Sequence, residues 1–107
     1  MTNELKNPHP GEILKHEFLA EIGMSQNQLA DAIGVPRNRI HAIVNGTRDI
    51  SADTDLRLSK FFSLSEGYWL RLQNAFDTLE AKCKIAPQVA KIKPYKAPDG
   101  KDGRHAA

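Results

Sequence analysis

The stretch SQNQLADAIGVPRNRIHAIVNGTR, residues 25–48, decides the fold. Ser25 stands where a helix N-cap is needed, and Gln28 three residues later completes an S-x-x-Q capping box. Leu29, Ala30 and Ile33 then fall on one helical face. Gly34 ends this helix, Val35 fills a tight turn, and Pro36 suits the first position of the next helix, where its missing N–H costs nothing. Ile40, Ile43 and Val44 form a second apolar face, closed by Asn45-Gly46, two residues that tolerate positive φ. Two short helices joined by a tight Gly-containing turn form the unit that lays its second helix in the major groove of DNA. Away from its apolar face, that helix carries Arg37, Asn38, Arg39 and His41. Arg and Asn are the side chains that read guanine and adenine edges.

The N-terminal residues of such a helix contact base edges. Arg37 and Asn38 are therefore the leading candidates for base contacts, and His41 lies four residues after Arg37 on the same face. Arg39, between them, is placed to reach a base or a phosphate. Backbone contacts are expected on either side. The helix beginning at Ser25 has free N–H groups for a phosphate, with Gln26 and Gln28 extending from that end. Asn45, Thr47 and Arg48 follow the second helix and face phosphate on its other side. For Ser25 and Gln28, capping alone and capping with phosphate contact stand side by side.

Outward from this core, Pro10-Gly11-Glu12 opens a first helix with an apolar stripe of Ile13, Leu14, Phe18, Leu19 and Ile22, ended by Gly23. Ser51 caps a fourth helix, with Asp53 and Asp55 near its positive end and Leu56, Leu58, Phe61 and Phe62 as its buried contacts. Ser65 is expected to cap a fifth helix, whose Trp69, Leu72, Phe76 and Leu79 recur with helical spacing. Trp69 belongs in the core on this reading, and Phe76 and Leu79 are the candidates for a dimer interface. The fold class is all-α, a compact five-helix domain over residues 10–82. A flexible N-terminus, residues 1–9, precedes it. A basic, proline-rich, irregular tail, residues 83–107, follows it. Pro87, Pro94 and Pro98 exclude a long helix there. Residues 88–93 read as a short strand or a helical turn, and residues 97–107 as disordered.

At 107 residues and 40% hydrophobic content, the chain suffices for one small folded domain. No apolar run approaches the ~18 residues of a membrane span. The N-terminus MTNELKNPHPGEI lacks an apolar signal region, and the single Cys83 suits a reducing compartment, so a cytoplasmic location is expected. The net charge of +2 is unevenly spread. Residues 1–80 carry 8 basic and 11 acidic side chains, whereas residues 81–107 carry 7 basic and 2 acidic ones. Within the acidic portion, residues 32–48 hold Arg37, Arg39 and Arg48 and no acid. A local basic face on a mildly acidic body fits a module that meets DNA through one surface.

Catalytic and metal chemistry find no foothold. His9, His16, His41 and His105 are scattered without Cys or acid at a metal-binding spacing, and read as surface or capping residues. Cys83, between Lys82 and Lys84, has no His partner, and Glu12, Glu17 and Glu21 read as a solvated helix face. The seven glycines form no phosphate loop. No catalytic residue, metal or cofactor is expected.

Residues 9–80 resemble the HigA-type antitoxins, also called VapI-like proteins, of the Cro/repressor-like (XRE) helix-turn-helix superfamily. The resemblance rests on HPGEIL, on LA-x-x-hydrophobic-GVP-x-x-RI across the turn, on ISADT-x-LRL, and on YWL-x-LQ-x-A-aromatic-D. It implies a lambda-repressor-like fold and a homodimeric repressor of its own operon, acting on a palindromic operator. It also implies a cognate toxin partner, a ribosome-associated mRNA endonuclease. The family pattern sets base readers at Arg37, Asn38, Arg39 and His41, with Ser25, Gln26, Asn45 and Arg48 near the backbone. The tail beyond residue 82 departs from that pattern, so no toxin contact carries over to it. The competing readings are a stand-alone phage- or plasmid-type repressor and a protein-interaction module with little DNA binding.

Overall fold

The computed structural model describes residues 7–98, so the expectations for residues 1–6 and 99–107 lie outside the described residues. Among the described residues, all regular structure is helical. α1 (Pro10–Ile13), a π-helical turn (Leu14–Leu19) and α2 (Ala20–Ile22) run on as one rod, since the residues at both junctions keep right-handed helical dihedrals. The π turn has a cause in the sequence. Leu14 and Leu19 are five residues apart and both buried, which fits the i→i+5 register of a π-helix. Ile22, expected in the same stripe, is 53% exposed, and Met24 packs against the core instead.

α3 (Gln26–Ile33) and α4 (Arg37–Val44) are the paired helices, joined by Gly34 at φ 75°. α5 (Ala52–Phe62) and α6 (Tyr68–Ala90) complete the chain. The core joins all of them: Leu14, Leu29, Ile40, Ile43, Leu58 and Trp69 are fully buried. Gly11 lets α1 lie against α4 backbone to backbone, because a β-carbon there would collide with the Ile43 carbonyl. This contact sets how the second helix of the motif sits on the body. Residues 7–9 are packed rather than loose. Asn7 donates to the Phe76 carbonyl at 2.9 Å, and buried His9 caps α1 by accepting from the Gly11 N–H.

Three expectations for the C-terminal half are corrected. Ser65 does not cap α6; the N-cap is Gly67, at φ 92°. The capping acceptor comes from α5: buried Asp55 accepts from the N–H groups of Gly67 and Trp69, each at 2.8 Å, and of Leu70 at 3.3 Å. Second, Leu56 and Phe61 face outward at 48% and 36% exposure. Turning Asp55 toward α6 gives α5 a buried face of Thr54, Asp55, Leu58 and Ser59, which leaves those two on the other side. Third, α6 runs past Lys82 to Ala90, where an irregular tail was expected. Ile85 breaks from helical geometry (φ −114°, ψ 19°) two residues before Pro87. The break puts Pro87 near the start of a new helical stretch, where its lacking N–H and its ring are tolerated. Trp69 sits fully buried in the core, as its stripe implies. No helix among the described residues is long and apolar enough to cross a membrane.

Candidate nucleic-acid interface

The capping box that opens α3 is complete. Ser25 Oγ accepts from the Gln28 N–H at 3.0 Å, and Gln28 Oε1 accepts from the Ser25 N–H at 2.8 Å. Both residues are exposed, at the end of α3 where helix N–H groups and dipole favour an anion. Pro36 serves as the N-cap of α4, one position earlier than its sequence context implies, so Arg37 and Asn38 are the first two helical residues. At α4's other end Asn45 keeps right-handed geometry (φ −79°), and Gly46 alone takes positive φ, at 81°. Thr47 Oγ1 donates to the Ala42 carbonyl at 3.2 Å, which satisfies part of the helix terminus.

A groove of about 600 Å³ runs between the first helical rod and the motif, lined by Ser25, Gln26, His41 and Asn45 together with Lys15, Asn27 and three further residues. The structure thus brings together residues from the start of α3 and the C-terminal half of α4, and leaves Arg37, Asn38 and Arg39 outside the groove lining. Lys15 and Asn27 were not anticipated. Lys15 is the one lysine or arginine between residues 7 and 36, which is the sequence signal that marks it. Asn27 shares a 2.8 Å hydrogen bond with His41 Nε2, which fixes the imidazole at the groove wall.

The arginines divide into two kinds. Arg37 forms a two-point pair with Asp31 on α3, Nε to Oδ1 at 3.1 Å and Nη2 to Oδ2 at 2.7 Å, on the solvent side of both helices. The hydrogen bond from Arg37 holds the Asp31 carboxyl below its ordinary value, and charge attraction adds to it. Arg39 points inward. Its Nη1 donates to Asp53 on α5 at 3.0 Å, its side chain is only 22% exposed, and its Nε is buried without a partner among the described residues. Arg39 thus braces α4 against α5. Asn38 and Arg48 are exposed, and Arg48 pairs with no carboxylate among the described residues. The two interface candidates on α6 differ as well. Phe76 is half-buried with its ring edge-on to His9 at 5.0 Å, and Leu79 is 42% exposed.

Comparison with known proteins agrees with this geometry. A helix-turn-helix family model, HTH_3, matches residues 16–69. Virulence-associated protein I of Dichelobacter nodosus is 45% identical over 75 residues, covering 70% of this chain and 69% of that protein. A solved addiction module antidote protein of the HigA family from Coxiella burnetii is 46% identical with a TM-score of 0.80, over 85% of this chain and all of that one. The Pseudomonas aeruginosa antitoxin HigA, solved with the higBA promoter, is 37% identical with a TM-score of 0.78, over 83% of this chain and 98% of that one. With its capping box, Gly34 turn and exposed second helix, the chain belongs to the XRE-type helix-turn-helix family of DNA-binding proteins, among the HigA- and VapI-like antitoxins.

Proposed function

We propose that this chain represses its own operon by binding operator DNA as a homodimer, and that it neutralises a cognate toxin, a ribosome-associated mRNA endonuclease. The observation that carries the DNA half is the exposure of Arg37, Asn38 and His41 along α4, beside a groove lined by Lys15, Gln26 and Asn45. In this reading Arg37, Asn38 and His41 meet base edges. Ser25, Gln26, Gln28, Asn45, Thr47 and Arg48 meet phosphates on the two sides of α4 and set the register. Arg39 holds α4 at its angle. A dimer places two recognition helices in successive major grooves about 34 Å apart, so the operator is palindromic. Leu79, exposed on α6, is offered as a dimer contact, with Phe76 at its edge. The solved relative bound to its promoter supports the operator reading, and kinship with antitoxins supports the toxin partner.

The test is a gel shift on the DNA upstream of the chain's own gene, with the Arg37→Ala/Asn38→Ala double variant beside the parent. A palindromic site bound by the parent and lost in the variant is the expected result. Absence of specific binding by the parent would leave a protein-interaction module. Co-expression with the neighbouring reading frame tests the toxin half: a co-purifying, non-toxic complex is expected, and two separate proteins would overturn it.

A further inference from the structure

The pair between Asp31 and Arg37 does more than neutralise two charges, and its further role rests on the operator-binding reading of α4. A guanidinium has five N–H donors in a fixed plane. Asp31 occupies the Nε side of that plane, taking Nε–H and one Nη2 proton at 3.1 and 2.7 Å. The remaining edge, the second Nη2 proton and the two on Nη1, still presents a parallel pair of donors. That edge matches the O6 and N7 acceptors of guanine. We propose that Asp31 is a specificity-determining residue, which presents Arg37 to a guanine and disfavours its use as a phosphate anchor.

Two physical effects act together. The first is ordering. Arg37 and Asp31 have side chains 57% and 58% exposed, and an unbraced arginine at such a site must be ordered when it binds. Braced from α3, the fork is ordered before DNA arrives. The second is charge. The Arg37–Asp31 pair is neutral as a unit, so it releases little counterion from non-specific DNA, and the fixed carboxylate repels a phosphate placed beside it. Base contact through the open edge is untouched. Asp31 therefore lowers affinity for non-specific DNA while keeping affinity for the operator.

The experiment measures dissociation constants of the full chain by fluorescence anisotropy, on the operator duplex and on a scrambled duplex of equal length, across a salt series. Parent, Asp31→Asn, Arg37→Ala and the Asp31→Asn/Arg37→Ala double variant are compared. In Asp31→Asn the scrambled duplex is expected to bind more tightly, with a log–log salt slope steeper by about one. The ratio of operator to scrambled affinity should fall about tenfold. In the Arg37→Ala background, adding Asp31→Asn should leave that ratio unchanged, because nothing remains to be braced. A merely structural role for Asp31 would still lower the ratio there, and that outcome overturns the proposal. A discriminating parent whose ratio survives in Asp31→Asn overturns the proposal alone. A parent that discriminates between no sequences overturns the repressor reading, and this proposal with it.

Discussion

Arg39 Nη1 on α4 lies 3.0 Å from Asp53 Oδ1 on α5, and the same oxygen accepts from Arg57 Nε at 2.8 Å. Arg57 in turn donates through Nη1 to the Ile33 carbonyl at 2.8 Å, at the end of α3. One carboxylate thus ties the recognition helix, the turn before it and the helix behind it.

Replacing Asp53 with Ala removes the carboxylate from both arginines at once and leaves Arg57 its bond to the Ile33 carbonyl. Helix content by circular dichroism should hold, because the shared carboxylate is 57% exposed and ion pairs at the surface contribute little to stability. Operator affinity should fall about two- to thirtyfold, the range for a change that acts through a neighbouring group. Anisotropy on the operator checks this, and an undiminished affinity would show that Arg39 needs no brace.

The same carboxylate gives a pH signature. Hydrogen bonds from Arg57, then from Arg39, hold Asp53 below its ordinary value of 3.8. A group whose acidity is raised by folding adds stability that is full above its unfolded pKa. That contribution disappears as the pH falls through the lower folded value. No change from this source is expected between about pH 5 and pH 7, with loss beginning below about pH 4. Melting temperature followed from pH 7 to pH 2 should therefore drop less steeply below pH 4 in Asp53→Asn than in the parent. Equal slopes would contradict the pairing.

Asp55 carries a larger structural load. It is 1% exposed and accepts from three backbone N–H groups at the start of α6. Asp55→Ala strands those donors in the interior and should destabilise the fold by about 3 kcal/mol or more. Asp55→Asn should recover only part of the loss, since its amide turns a donor toward donors. Urea denaturation of the three proteins measures the order.

Ser63 is the one non-glycine residue with positive φ among the described residues, at 60°, where it ends α5. Glycine occupies that conformation without the crowding a β-carbon brings. Ser63→Gly should raise stability by about 0.5–1 kcal/mol, a gain of about 2–8 °C in Tm. A fall in Tm would mean that the serine side chain contributes something the backbone argument omits.

What was legible in the chain is what acts over three or four residues. Ser25 and Gln28 announce their capping box because both halves lie within one turn, and Gly34 marks the turn because few other residues accept its dihedrals. The second helix and its outward Arg37 and Asn38 come from the same local rules. The roles that depend on tertiary approach were hidden. Ser65 has the right chemistry for a cap, yet Asp55, ten positions earlier, takes the work because α5 packs across the start of α6. That choice also rotates Leu56 and Phe61 outward, against their hydrophobicity. The partner of Arg39 was hidden in the same way, because Asp53 reaches it from fourteen residues away. Lys15 and Asn27 join the groove only when the first helical rod folds against α3 and α4.

The placement of Asp55 also bears on how the chain assembles. The acceptor for the first turn of α6 resides on α5, so α6 lacks its cap until α5 is in position, and the α5 carboxylate gains its backbone donors only when α6 arrives. Neither helix is complete alone. The two constitute one cooperative unit, whose amides at Gly67, Trp69 and Leu70 are protected from hydrogen exchange together and open together.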